Sequence, residues 1–122
     1  MPEQNYILVA DDDQQLGTSL GEQLTAEGYN VIVTSNGEEA IHIIKEKRID
    51  LAIIDIKMPK IDGFEVLRFV RKDFPGVKII MLTAYADIRN ISKCKELGAH
   101  DVIEKPYDVN DLFDSIHFVT AK

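Results

Sequence analysis

Tyr6-Ile7-Leu8-Val9-Ala10-Asp11-Asp12-Asp13 is the stretch on which the fold turns: five apolar or aromatic residues run straight into three carboxylates. A run of this length without polar alternation reads as a strand covered on both faces, and such strands belong to parallel sheets. The next segment is helical, because Leu16, Leu20 and Leu24 recur at i, i+4 and i+8, with Gly28 closing it. The alternation then repeats. Val31-Ile32-Val33 is a second strand, Asn36-Gly37 a turn, and Ala40, Ile41 and Ile44 one helix face. Leu51-Ala52-Ile53-Ile54 is a third strand ending in Asp55, followed by the turn signals Met58-Pro59 and Asp62-Gly63. Phe64, Leu67 and Val70 mark a third helix, ended by Pro75-Gly76. Lys78 to Leu82 is the fourth strand, Ile88, Ile91 and Leu97 a weaker helix ended by Gly98, Val102-Ile103 a fifth strand, and Leu112, Ile116 and Val119 the last helix. Strand and helix thus alternate in five βα units joined by short connections. The expected class is α/β with a five-stranded parallel sheet flanked by helices on both faces.

The polar residues fall where this pattern makes them informative. Asp11, Asp12 and Asp13 follow the first strand, Asp55 ends the third, Thr83 ends the fourth, and Lys105 follows the fifth. All therefore lie along the edge formed by the carboxyl ends of parallel strands, where open α/β sheets bind ligands. The strand order decides whether they meet. In the order 3-2-1-4-5 they scatter, whereas in 2-1-3-4-5 the aspartate cluster sits beside Asp55 across the switch point. Clustered carboxylates repel one another, and a divalent cation removes that repulsion. Mg²⁺ takes oxygen ligands, often one or two carboxylates together with a phosphate. An aspartate can accept a phosphoryl group as a nucleophile, with the hydroxyl of Thr83 and the ammonium of Lys105 spreading its charge.

Composition bounds the reading. The chain has 122 residues, 45% hydrophobic and 29% charged, which suits one globular domain over 1–122. A formal net charge of -7 argues against a nucleic-acid surface, which would need a basic stripe. The single cysteine, Cys94, has no internal disulfide partner, so a packed helix residue in a reducing compartment is expected. Residues 1–5 lack the features of a signal peptide, and no apolar run approaches the ~18 residues of a membrane span. The expected location is cytoplasmic, without a membrane partner.

At these residues the sequence resembles the receiver domains of bacterial two-component and phosphorelay response regulators, the CheY-like domains. The resemblance rests on Ile7-Leu8-Val9-Ala10-Asp11-Asp12, on Asp55-Ile56-Lys57-Met58-Pro59-Lys60-Ile61-Asp62-Gly63, on Met81-Leu82-Thr83-Ala84 and on Glu104-Lys105-Pro106. It implies the order 2-1-3-4-5 and a phosphoacceptor signalling domain that assists its own phosphotransfer and dephosphorylation without being a turnover enzyme. It implies phosphorylation of Asp55. It also implies a Mg²⁺ ion, with Mn²⁺ as an alternative, held by Asp12, Asp55 and the backbone carbonyl of Lys57, with Asp11 acting through a bound water. Thr83 and Lys105 would contact the phosphoryl oxygens, and the Lys105-Pro106 peptide would be cis. The implied donor is a histidine kinase or a histidine phosphotransfer protein, the implied output a downstream protein target, and the implied partner surface Gln14, Gln15, Leu16, Pro106 and Tyr107. One position departs from the common pattern: Val102 stands where many receivers carry Tyr or Phe. Lys57 and Tyr85 resemble their counterparts in stand-alone receivers of sporulation phosphorelays, and both are expected to hinder water at the phosphoaspartate.

Blander readings exist for each residue alone. Asp13 reads as a helix cap, Met58-Pro59 and Asp62-Gly63 as turn chemistry, and Lys105 as a solvated lysine. Gly17 and Gly21 interrupt the first helix, either as tolerated variation or as a shallow surface for a partner helix. His42, His100 and His117 share no spacing and are expected to be surface or partly buried residues rather than ligands. Three functions compete, one of them a degenerate receiver used only as an interaction module, which would lack one of the key residues, and none is missing. A haloacid-dehalogenase-type phosphohydrolase would use Asp11-x-Asp13, but Gln14-Gln15 follow where that family expects Gly-Thr or similar. A nucleotide or flavin binder would need a glycine-rich phosphate loop, and none follows the first strand.

Overall fold

The computed structural model describes residues 6–84 and 88–121. Five strands, β1 (Tyr6–Ala10), β2 (Val31–Thr34), β3 (Ile49–Asp55), β4 (Lys78–Thr83) and β5 (Asp101–Glu104), alternate with α1 (Gln14–Ala26), α2 (Gly37–Glu46), α3 (Gly63–Asp73), α4 (Ile88–Glu96) and α5 (Val109–Thr120). All pairings are parallel and the order is β2-β1-β3-β4-β5. The chain reverses its direction of winding between β1 and β3, which are neighbours. Register places Ala10 beside Ile54, and Asp55 beside Leu82. The end of β1 therefore delivers Asp11 next to Asp55.

Alternation along the strands builds two cores. Leu8 and Ala10 of β1, Ala52 and Ile54 of β3, and Ile79 and Met81 of β4 point to one face, where Ala40 and Ile44 of α2, Val66, Leu67 and Val70 of α3 and Cys94 of α4 cover them. The intervening residues Ile7, Val9, Leu51, Ile53, Ile80 and Leu82 meet Leu20 and Leu24 of α1 and Leu112, Ile116 and Val119 of α5. Burial on both faces is why these strands read as continuous apolar runs. Cys94 packs within the first core as expected, and burial pushes its thiol pKa up.

The helix boundaries follow local chemistry. Asp13 caps α1 by accepting from the Leu16 N–H, Asn36 caps α2, and Asp62 and Glu65 form a reciprocal capping box on α3. Gly28 and Gly98, beyond α1 and α4, have φ of 98° and 99°, the left-handed conformation that glycine adopts without strain. One glycine expectation is corrected. Gly37 is the first residue of α2 and packs against the Ile61 backbone, so Asn36-Gly37 is a cap and a close approach rather than a free turn. At Gly17 and Gly21 a Cβ would lie 3.3 Å from Val33 Cγ1 and 2.7 Å from Val33 Cγ2, and Gly21 also lines an open depression of about 580 Å³ with Thr18, Thr25, Val31 and Val33. They let β2 settle close to α1. His100 is half-buried, and its Nδ1 accepts the Ile79 N–H at 3.1 Å, a bond that ties the start of β4 to the residue preceding β5.

Candidate functional site

Four strand ends converge. Asp11 and Asp55 are buried carboxylates at the ends of β1 and β3, and Thr83, buried as well, ends β4. Lys105 follows β5, and its backbone N–H donates to the Thr83 carbonyl at 2.7 Å, which fixes where the side chain starts. Its ammonium donates to Asp55 Oδ2 at 2.8 Å and to Asp11 Oδ2 at 3.0 Å. The second oxygen of each carboxylate is engaged locally: Asp11 Oδ1 accepts the Asp13 N–H at 3.0 Å, and Asp55 Oδ1 accepts the Lys57 N–H at 3.3 Å. Asp12 is exposed at the rim, and carboxylate oxygens of Asp11, Asp12 and Asp55 lie within 4.8 Å of one another.

The loop beyond Asp55 is held from behind. Ile56 donates its N–H to the Leu82 carbonyl at 3.0 Å and accepts from the Gly63 N–H at 2.8 Å. Met58 is buried, which anchors the loop. The Lys105-Pro106 peptide is cis. A cleft of about 880 Å³ opens over these groups, lined by Asp12, Asp55, Lys57, Thr83 and Lys105, with Met58, Phe64 and Asn90 among its other lining residues.

Electrostatically, three carboxylates face one ammonium. Burial pushes the Asp55 carboxyl above the usual carboxylate range, a push that the Lys105 hydrogen bond and charge only partly offset and that Asp11 reinforces. For Lys105 burial acts downward, but the hydrogen bonds and charges of Asp55 and Asp11 prevail, and its pKa rises. An ion pair alone would lower the acid as it raises the base. Asp55 rises instead because burial of the carboxylate outweighs Lys105, with Asp11 adding to it. Closely spaced carboxylates, all offering hard oxygen donors with one at the rim, fit a divalent cation of the Mg²⁺ type.

The residues singled out in the sequence fall in separate parts of this end of the molecule. Asp11, Asp12, Asp55, Lys57, Thr83 and Lys105 come together around the cleft. Leu16 lines that cleft and also an adjoining groove of about 560 Å³ between α1 and the start of α5, which it shares with Lys105, Pro106 and Tyr107. Gln14 and Gln15 instead border a neighbouring depression with Thr18 and Glu22. Tyr85 lies outside the described residues. Val102 is half-buried and packs against the core under α2, α3 and α4. Sequence reasoning missed the cleft positions of Phe64 and Asn90: Phe64 reads as an ordinary apolar helix residue, and nothing in its surroundings flags Asn90.

A doubly wound sheet carrying an aspartate–lysine cluster at its switch point defines an acidic, cation-binding class of α/β domain. The response regulator receiver domain profile matches residues 7–117, and the chain belongs to that family. It is 34% identical over 110 residues to sporulation initiation phosphotransferase F of Bacillus subtilis, covering 90% of this chain and 89% of that protein. It is 40% identical over 116 residues to the probable transcriptional regulator ycf27 of Guillardia theta, of whose length it spans 45%. Among solved structures, a CheY-like receiver domain protein from Methanospirillum hungatei superposes with a TM-score of 0.89 at 35% identity, covering 94% of this chain and 92% of that one. The response regulator TrrA from Thermotoga maritima, in complex with Mg²⁺-BeF, gives 0.85 at 35% identity, covering 94% of this chain and 98% of that one. The chain is thus a receiver of the phosphoacceptor response-regulator class. Among the described residues no helix is long and apolar enough to cross a membrane.

Proposed function

We infer that the chain works as one receiver unit over residues 1–122 in which Asp55 is the phosphoacceptor. The donor is the phosphohistidine of a histidine kinase or phosphotransfer protein. The observation that carries this reading is the Lys105 ammonium shared between Asp55 and Asp11, 2.8 and 3.0 Å away, beside a rim carboxylate. In the transfer, an Asp55 carboxylate oxygen forms the new bond to phosphorus as the histidine N–P bond breaks, and that electron pair stays on the imidazole. The Lys57 N–H on Asp55 Oδ1 leaves Oδ2 as the oxygen facing Lys105. Lys105 and the Thr83 hydroxyl receive the charged oxygens of the incoming group. Asp12, Asp55 and the Lys57 carbonyl would hold Mg²⁺, with Asp11 in support. The bound ion would supply charge neutralisation for the transferring group. The groove of Leu16, Pro106 and Tyr107, extended by Gln14 and Gln15, receives the partner protein in the cytoplasm.

Incubation with a phosphohistidine-carrying phosphotransfer protein and Mg²⁺ tests this. The label is expected to move to the wild-type chain and not to Asp55→Asn, whereas equal labelling of both would reject Asp55 as the acceptor.

A further inference from the structure

The turn from β2 into α2 touches both walls of the acidic site, although none of residues 34–38 lines the cleft. On one side, the carbonyl of the buried Thr34 accepts the Asp11 N–H at 3.1 Å, and the Thr34 hydroxyl donates to the Val9 carbonyl at 3.2 Å. On the other side, Gly37 meets the loop that carries Lys57. A Cβ on Gly37 would overlap the Ile61 carbonyl oxygen and lie 2.9 Å from the carbonyl carbon. Glu38 faces the Lys60 ammonium at 3.6 Å. The turn itself is pinned, because Asn36 Oδ1 accepts the Glu39 N–H at 2.8 Å and Glu39 Oε1 accepts the Ser35 N–H at 3.0 Å. The loop it meets is strained. Lys60 has a φ of 68°, and among the described residues no other non-glycine has a positive φ. The Ile61 N–H donates to the Pro59 carbonyl at 2.8 Å, closing a tight three-residue turn around Lys60. A lysine in this conformation costs free energy and persists only where its surroundings hold it. The first residues of α2 supply that hold.

We propose that the β2–α2 turn is a clamp that positions the cation site, with Gly37 and Lys60 as positioning residues on the Lys57 side and Thr34 on the Asp11 side. This role rests on Mg²⁺ being held by Asp12, Asp55 and the Lys57 carbonyl. The sheet fixes Asp55 beside the end of β1, but the Lys57 carbonyl lies beyond β3, in a loop that needs its own support. Mg²⁺ accepts little deviation from octahedral geometry. A loop already held in place binds it without the cost of being ordered by the ion. The exposed Lys60–Glu38 ion pair is the minor part of the clamp, since such pairs contribute little. The seat of Ile61 on Gly37 is the major part, because backbone there has no room to give.

The test uses the full chain and Mg²⁺ alone as the ligand, with affinity read by calorimetry and stability by urea unfolding in chelator. Gly37→Ala displaces the Ile61 carbonyl. Lys60→Gly and Lys60→Val both remove the ammonium, so its charge effect on Mg²⁺ cancels between them. They differ in that glycine takes the left-handed conformation freely and valine resists it. Gly37→Ala is expected to bind Mg²⁺ about tenfold more weakly than the wild type. Lys60→Val is expected to bind it at least about fivefold more weakly than Lys60→Gly. A merely structural role would lower the urea midpoint and leave the affinity of the folded chain unchanged. Wild-type affinity in folded Gly37→Ala, or equal affinity in the two Lys60 variants, would therefore overturn the clamp. If Gly37→Ala does not fold, the Lys60 pair decides alone. If the wild-type chain binds no Mg²⁺, the cation reading itself fails and the clamp falls with it, whereas Mg²⁺ binding that the variants leave untouched removes the clamp only.

Discussion

Gly63 lies so close to Asp55 that a Cβ at position 63 would overlap the Asp55 carbonyl and crowd the Ile56 Cα at 2.7 Å. The first turn of α3 is thereby seated directly on the backbone that presents the Asp55 carboxylate. In sequence, Asp62-Gly63 looks like a turn. In the fold, Asp62 is a helix cap and Gly63 is a spacer of zero side-chain volume.

Gly63→Ala must push backbone apart, and overpacking of this kind costs about 2–3 kcal/mol. Gly76 provides the contrast, because a Cβ there meets nothing within 4 Å and its φ lies outside the left-handed region. Gly76→Ala is expected to be neutral or stabilising by about 0.4–1 kcal/mol, through lost freedom in the unfolded chain. Urea midpoints of the two variants check both.

Removing a negative charge from the cluster should help the fold and harm ion binding. Asp12 is at the rim, within 4.8 Å of the other two carboxylates, and Lys105 bonds to those two. Asp12→Asn is expected to raise stability in chelator by about 0.5 kcal/mol through relieved repulsion and to weaken Mg²⁺ affinity by at least tenfold. Calorimetry with and without Mg²⁺ separates the two effects.

Burial holds the Asp55 carboxyl above its usual range, so protons compete with a divalent cation for it from a higher pH than for an ordinary aspartate. Mg²⁺ affinity is expected to fall on acidification beginning above the ordinary carboxylate range. A flat Mg²⁺ titration down to about pH 4.5 would contradict that expectation.

His100 gives a pH dependence of stability remote from the site. Burial, then the charges of Lys78 and Arg71, lower its pKa from the ordinary 6.5, and its Nδ1 must stay unprotonated to accept the Ile79 N–H. The unfolded chain therefore binds more protons than the native one between the lowered value and 6.5. The stability contributed by the neutral ring is present above 6.5 and is lost as pH falls toward the lowered value. His100→Asn keeps an acceptor oxygen and is expected to flatten this part of the stability–pH curve, measured by urea unfolding from pH 5 to 8.

The alternation of apolar runs and helical periods made the βα order legible, because each strand is buried on both faces and so carries no competing pattern. Asp11, Asp55, Thr83 and Lys105 were legible as a set because topology, not proximity in sequence, brings strand ends together. The roles of Gly17, Gly21, Gly37 and Gly63 were not, since a glycine that admits a neighbouring backbone or Val33 looks identical in sequence to one that turns the chain. Phe64, Lys93 and His100 were also hidden, because each meets a partner on another element, and Asn90 was hidden because only the fold brings it to the cleft.

Phosphorylation of Asp55 is tested most directly by intact-mass measurement after exposure to acetyl phosphate. With Mg²⁺ the wild-type chain is expected to gain one phosphoryl group, and to gain none in chelator or as Asp55→Ala. A phosphoryl adduct of equal yield in Asp55→Ala, or one indifferent to divalent cation, would contradict it.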